Sequence, residues 1–376
     1  MTHDHLLSPI TAAELTAPNR VWMAPLTRSR ATMPGNIPNA LMAEYYAQRA
    51  DPRTGAGIII AEATPVSPQG HGYYATPGIH TDAQEAGWKQ VTDAVHARGG
   101  KIVLQLWHVG RVSHHALQPD NQPPVSPTDA TSQSKTYIDD TYERHPNTPP
   151  RKLDPAELPA IAEDFANAAS RAIRAGFDGV EIHGANTYLL DQFTRDGMNK
   201  MDPPWGGSTE NRLRFPLLVA HSVVDAVGAG RVGYRISPLS EHHDAIDSDP
   251  KSTFTALAAV LGKLGLAYLH AVETWDRSKI DPRLKTVIPA IADAFKSAGG
   301  HAYVANGDYT PDQAEQAIAS GWADAVAFGK LWISNPDLTE RIRRDGPYNE
   351  WNSDTFYGGG ARGYTDYPTI DQPALR

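Results

Sequence analysis

His183, Asn186 and Tyr188 fall within the run Glu181-Ile182-His183-Gly184-Ala185-Asn186-Thr187-Tyr188. On a helical turn, a spacing of three places the imidazole and the carboxamide on one side. Two residues beyond Asn186 stands a phenol that can give up a proton. Two neutral hydrogen-bond donors facing an oxygen that becomes negative, with a proton source beside them, are what enolate or oxyanion chemistry requires. The run follows Asp178-Gly179-Val180 and leads into Leu189-Leu190-Asp191-Gln192-Phe193, so it reads as a strand end spilling into a turn or short helix. Taken alone, His183 is more often a structural histidine.

Eight short, nearly continuous apolar runs could supply the strands that position such a site: 20–24, 57–61, 101–106, 179–182, 232–236, 266–270, 302–305 and 325–328. Continuous rather than alternating apolarity marks strands buried on both faces. Helical patterns fill the gaps at 39–50, 82–98, 157–175, 211–227, 253–264, 285–297, 311–320 and 335–344. Thr310-Pro311-Asp312 carries a helix-start signal, a capping hydroxyl before a first-turn proline. Strict alternation eight times over predicts an α/β fold, a (β/α)₈ TIM barrel. The competing doubly wound sheet would carry a glycine fingerprint after an early strand. Gly228-Ala229-Gly230-Arg231-Val232-Gly233 has the letters, but a helix precedes it and a strand follows, so it reads as a helix-to-strand turn. The chain is expected to form one domain over 1–376, with a Pro-, Ser- and Thr-rich excursion over 110–155 after the third strand and an irregular C-terminal tail from 346.

Chemistry in such a barrel gathers at the C-terminal ends of the strands. Those ends offer Pro25, Leu26 and Thr27, then Ala61 and Glu62, then Gln105 to His108, then His183 to Tyr188. Arg235 and Glu273 follow, with Asn306-Gly307-Asp308 after the seventh strand and Gly329-Lys330 after the eighth. Glycines beside a cation at the last two strands suit a phosphate, held by backbone N–H groups.

Composition narrows the function classes. The 376 residues carry 40% hydrophobic and 20% charged side chains and a formal net charge of -9, which argues against general nucleic-acid binding. There is no cysteine, which removes disulfides, thiolate nucleophiles, thiolate-bound zinc and iron–sulfur clusters. Met1-Thr2-His3-Asp4-His5 lacks the basic start of a signal peptide, and no run of about 18 apolar residues is present to span a bilayer. The expectation is a cytoplasmic protein, a monomer or homodimer, with a small-molecule substrate and no nucleic-acid or membrane partner.

At this point the residues resemble the Old Yellow Enzyme family of FMN-dependent ene reductases. The resemblance rests on Met23-Ala24-Pro25-Leu26-Thr27-Arg28, Gln105-Leu106-Trp107-His108-Val109-Gly110-Arg111 and His183-Gly184-Ala185-Asn186-x-Tyr188. Gly206-Gly207-Ser208-x-Glu210-Asn211-Arg212, Ala325-Val326-Ala327-Phe328-Gly329 and Tyr357-Gly358-Gly359-Gly360 follow in family order. It implies non-covalent FMN across the barrel mouth, with NADPH or NADH as co-substrate. Pro25, Leu26, Thr27, Ala61 and Gln105 would meet the flavin, with Arg235 at its N1 side. Gly307, Asp308, Gly329 and Lys330 would hold the phosphate, with Asn306 and Phe328 also at the cofactor. His183 and Asn186 would grip a substrate carbonyl, His183 also touching the cofactor, while Tyr188 protonates Cα and hydride passes from flavin N5 to Cβ. Trp107, Tyr73 and Tyr357 would line the substrate space. Trp275 could reach it or serve packing, and Tyr73 and Tyr74 divide a pocket role and an exposed one between them.

Several positions depart from the family pattern. Lys330 stands where an Arg is usual, supplying charge without the bidentate fork. Thr187 replaces the usual Gly, which implies a backbone position that does not need positive φ. The segment 194–200 also differs and could reshape the pocket wall. Substrates implied are α,β-unsaturated carbonyls or nitroalkenes, with nitrate esters or nitroaromatics as a second class. Outside the family stand a flavin-binding sensor and a metal-dependent barrel hydrolase. The latter is motivated by His114-His115 and Glu241-His242-His243-Asp244, but these pairs lack a third ligand at diagnostic spacing and read as solvated loops, so no metal is expected.

Overall fold

In the computed structural model, residues 2–279 and 281–372 are described. The eight expected strands are β1 Val21–Met23, β2 Ile59–Pro65, β3 Ile102–Trp107 and β4 Gly179–His183, then β5 Val232–Ile236, β6 Tyr268–Val272, β7 Ala302–Asn306 and β8 Ala325–Phe328. Each pairs in parallel with the next, and β8 returns to β1, closing a barrel. Most boundaries sit within one or two residues of the apolar runs. Strand β2 is longer: it continues past Ala61 to Pro65 through a register shift between Ala61 and Thr64.

Helices α1 Ala40–Ala47, α2 Asp82–His96 and α3 Leu158–Arg174 follow the first three strands. A short α4, Leu189–Thr194, and a long α5, Thr209–Val227, follow the fourth. Then come α6 Pro250–Lys263, α7 Leu284–Ser297 and α8 Pro311–Ala319. Thr310 caps α8 as expected, its hydroxyl accepting from Gln313 N–H while the Gln313 side chain returns to the cap. The helix expected over 335–344 is shortened to α10 Leu338–Arg343, and a further short helix, α9 Lys330–Ser334, precedes it. Pro336 disfavours helical backbone at the residue before it, which breaks the segment there. At Gly228 the backbone turns to φ +85 and ends α5, so the glycine string is the turn it was read as.

Alternation along the strands builds two cores. Val180 and Ile182 join the large layer between barrel and helices, which also holds Val232, Leu269 and Phe295. Inward-facing Trp22, Ile60, Val103, Tyr268 and Val304 fill the barrel's lower half. Ala12, Leu15 and Ala17, from an N-terminal hairpin, close that end. Over the other end, the 110–155 excursion sends the hairpin Lys135–Tyr137 with Arg144–Pro146. Tyr142 Oη donates to Ser29 O at 2.8 Å, and Tyr74 N–H donates to Tyr137 O at 2.9 Å, which fixes the hairpin at the mouth. Beyond a short turn at Ser353–Thr355 the tail is irregular, and Arg28 and Arg30 donate to its carbonyls at Thr355, Phe356, Gly360 and Gly363.

Candidate active site

His183 is the last residue of β4, and the chain then folds back through Gly184. A Cβ at Gly184 would stand 2.3 Å from the Tyr234 ring, so only glycine lets the turn lie this close to β5. His183 and Asn186 are therefore not related by a helical turn. Asn186 (φ +57) and Thr187 (φ +62) both occupy the left-handed region. This overturns the expectation for Thr187: the position does need positive φ, which is rare for a β-branched residue. Tertiary bonds hold it there. Asn186 N–H donates to Ser237 Oγ at 2.7 Å, Thr187 N–H to Asp191 Oδ2 at 2.8 Å, and Thr187 Oγ1 to His242 O at 2.5 Å.

The three chemical side chains acquire definite states from this packing. His183 Nδ1 accepts from Ala185 N–H at 3.3 Å, which assigns the proton of the neutral ring to Nε2. Burial, then the positive charge of Arg235, pushes the imidazole well below its ordinary pKa, so it remains neutral and donating. Tyr188 Oη lies 3.3 Å from Tyr73 Oη, and its ring meets Trp107 edge-on at 4.9 Å. Burial, then Tyr73, raises the Tyr188 phenol well above its usual range, so it keeps its proton. Tyr73 stacks on Trp107 at 5.6 Å, which gives Tyr73 rather than Tyr74 the inner place; Tyr74 packs on Tyr142 in the hairpin.

A cavity of about 720 Å³ opens beside this turn. Pro25, Leu26 and Thr27 line one side, and Asn186, Arg235 and Asn306 its depth. Gly307, Asp308, Phe328, Gly329 and Lys330 form the far end, with Trp275 and Tyr357 at the rim. Trp275 is 48% exposed and donates to Ser240 Oγ at 3.1 Å. Ala61 lies in the layer between barrel and helices, so only its backbone could serve a ligand. Gln105 is turned inward: its Nε2 donates to Glu181 Oε1 at 2.7 Å. The sequence reading did not single out Arg28, Trp351 and Phe356 for the site, yet they line the same cavity, Trp351 with Lys330 Nζ 5.8 Å above its ring. No local signal marks Trp351 or Phe356, because the tail is brought to the mouth by distant partners, among them Arg28, Arg30 and Tyr45.

Polar atoms left without partners show what the cavity would take. Asn186 Oδ1 and Arg235 Nε are buried and unbonded among the described residues. Arg235 Nη2 donates to Asn306 Oδ1 at 3.0 Å, which aims the guanidinium across the barrel. At the far end, Gly307 has φ +135, and a Cβ there would meet Thr274 O at 2.6 Å. The following Asp308 has φ +55. Successive backbone N–H groups in such a bend, near a lysine, form an anion-binding concavity. A long, largely apolar slot with donors along one edge and an anion cradle at one end fits a flavin mononucleotide. By contrast, His242 packs on Trp275 and His243 on Tyr188, and among the described residues no three His, Cys, Asp or Glu side chains converge.

Comparison with known proteins agrees with this geometry. The sequence profile of the NADH:flavin oxidoreductase / NADH oxidase family matches residues 5–349. Putative 12-oxophytodienoate reductase 11 of Oryza sativa is 42% identical over 368 residues, 97% of each chain. The Arabidopsis thaliana 12-oxophytodienoate reductase 2 is 39% identical over 98% of this chain and 96% of that relative. A morphinone reductase structure superposes with a TM-score of 0.90 at 44% identity, covering 99% of this chain and 98% of that one. A second, of morphinone reductase with tetrahydroNAD, gives 0.89 at 44% identity over 99% of both chains. The chain thus belongs to the NADH:flavin oxidoreductase / NADH oxidase family, the FMN-dependent reductases of the Old Yellow Enzyme type.

Proposed function

We propose that this enzyme uses NADPH or NADH to reduce the activated C=C bond of α,β-unsaturated carbonyls or nitroalkenes in ping-pong turnover. The observation that carries the reading is His183, a neutral imidazole with its proton on Nε2, beside a Tyr188 phenol that burial keeps protonated. When bound, FMN supplies hydride exchange between a nicotinamide and an electron-poor carbon. The relatives named above are reductases of oxo compounds, and one was solved with a nicotinamide analogue, which supports this choice.

The side chains divide the work. His183 Nε2 and Asn186 donate to the substrate's carbonyl or nitro oxygen as negative charge gathers there, the step at which such donors count most. Tyr188 delivers its proton to the adjacent carbon, and Tyr73 Oη, 3.3 Å away, holds the phenol in place. Arg235 supplies the positive charge that favours an electron-rich cofactor ring. Pro25, Leu26 and Thr27 bear on that ring, with the Ala61 backbone and the Gln105 amide at its other edge. Gly307, Asp308, Phe328, Gly329 and Lys330 retain the phosphate end. Trp107, Tyr73 and Tyr357, with Trp275 at the rim, shape the substrate space.

The test is spectroscopic and kinetic. The purified protein should show a flavin absorption band that bleaches anaerobically with nicotinamide and returns with 2-cyclohexenone; a colourless protein sinks the proposal. Tyr188→Phe should slow reoxidation by the enone about 10²- to 10⁴-fold while leaving flavin reduction intact. Equal loss in both half-reactions would contradict the proton-donor assignment.

A further inference from the structure

One buried pair inside the barrel, Glu181 and His270, has no part in the scheme above. Glu181 lies two residues before His183 on β4, roughly 7 Å lower, and faces the barrel axis as His183 does. Its Oε1 accepts from Gln105 Nε2 at 2.7 Å, and its Oε2 lies 2.8 Å from Nδ1 of His270 on β6. The neighbouring strand, β5, carries Gly233 in register with Glu181. A Cβ at Gly233 would stand 2.1 Å from the Tyr268 ring, so the glycine makes room for that ring in the barrel interior beside Glu181. Both side chains are 0% exposed.

A carboxylate in a barrel interior is costly, and an apolar side chain would fill the volume at less expense. Burial works against its charge, but His270 and then Arg235 outweigh it and hold the carboxylate below its ordinary range. His270 is held below its own range by burial, against the pull of Glu181, so the pair is a carboxylate bound to a neutral ring. The groups facing it from the surrounding strands are Gln105, His183, Arg235, Tyr268 and Asn306. Of these only Arg235 is a fixed charge, and it forms no ion pair among the described residues; its Nε is unbonded. Glu181 stands two residues below the register pair of His183 and Arg235, so its charge bears on Arg235 without consuming its N–H groups.

We infer that Glu181, bonded to His270 and Gln105, is a positioning residue that sets the charge balance beneath Arg235 and thereby limits how strongly the site favours reduced over oxidised flavin. The inference rests on the FMN reading of the cavity. A flavin held near Arg235 would gain one negative charge on reduction, and the negative charge of Glu181 would oppose that gain. Removing that charge at constant shape shifts the balance toward the reduced form.

The experiment is a spectroelectrochemical titration of the holoenzyme and its Glu181→Gln variant, with the dissociation constant of oxidised FMN measured by fluorescence in parallel. The expected result is a preference for reduced over oxidised flavin raised about tenfold, an upward shift of about 30 mV for a two-electron couple, with oxidised FMN bound as before. A merely structural role would weaken both redox states alike and leave the potential in place, which overturns the inference. If the variant does not fold, His270→Asn decides: with its main partner gone the carboxylate takes up a proton at higher pH, so the potential climbs more steeply than in the parent as pH falls. An unchanged slope counts against the inference. A parent protein that takes up no FMN overturns instead the reading of the cavity.

Discussion

Tyr73, Trp107, His183 and Tyr188 form a wall at the barrel mouth, and Trp275, Trp351 and Tyr357 form a rim around the same opening. The two differ in how they are held. Trp107 is 1% and His183 2% exposed, and every ring of the wall touches another within about 6 Å. The three rim residues are 44–48% exposed. Wall residues sit on or just after strands, so the barrel fixes their geometry and burial fixes their protonation. Rim residues come from the β6 loop and the C-terminal tail, where no strand fixes the side chain. Chemistry is expected of His183 and Tyr188 in the first set, and substrate choice of Trp275 and Tyr357 in the second.

The largest blow to that distinction would come from His183→Ala. Loss of a donor to the developing negative charge should slow enone reduction about 10²-fold or more in stopped-flow reoxidation, and abolish phenol binding to the oxidised enzyme. A loss confined to KM would make the wall no different from the rim. Trp107→Ala empties a fully buried site and should cost about 3–5 kcal/mol in urea unfolding. A value near zero would mean that the wall is not packed as described.

Acid titration tests the buried histidines behind the wall. Burial holds His71 and His108 down to about 3, against an ordinary 6.5. Their folded pKa is depressed, so the stability they carry is present above 6.5 and is lost as pH falls toward 3. The unfolding free energy should drop by up to about 1.4 kcal/mol per pH unit for each. His108→Asn retains an acceptor for Gly110 N–H and should make that slope shallower in thermal melts at stepped pH.

A finer comparison separates strain from bonding at Thr187. Thr187→Val keeps the branched side chain at φ +62 and loses the hydroxyl bond to His242 O, and should cost about 1–2 kcal/mol. Thr187→Gly loses the same bond but relieves the left-handed strain, so its melting temperature should lie above that of the valine variant. The smallest effect is expected at the rim. Trp275→Ala should leave stability within about 0.5 kcal/mol and alter KM among enones of different size, with the proton-transfer step untouched.

Much of this was legible in the chain. Eight apolar runs separated by helical patterns identify the barrel, because strands covered on both faces cannot alternate, and motif order names the family. The motifs also marked Thr27, and the strand ends Arg235, Gly307 and Lys330, all of which the fold brings to one cavity. The last helix was expected to start at Asn335, because Pro336 suits a first helical turn, but the chain bends there and α10 begins only at Leu338. Gln105 was assigned to the cofactor edge, and its amide also reaches Glu181, a contact 76 residues away that no local pattern announces. Thr187 was misread because residue type was allowed to decide backbone conformation; three bonds from Ser237, Asp191 and His242 outweigh the preference of one β-branched side chain.

The amino-acid sequence by itself determined the order of elements, the family, and which side chains stand at the strand ends, since these follow from periodicity and spacing along the chain. Only the tertiary structure decided what those side chains are chemically. His183 is neutral, Tyr188 stays protonated, and Glu62 is raised to about 7, in each case with burial as the largest cause. Desolvation and the field of distant charges depend on what the folded chain packs around a group, and that is a property of the closed barrel and not of any segment of it.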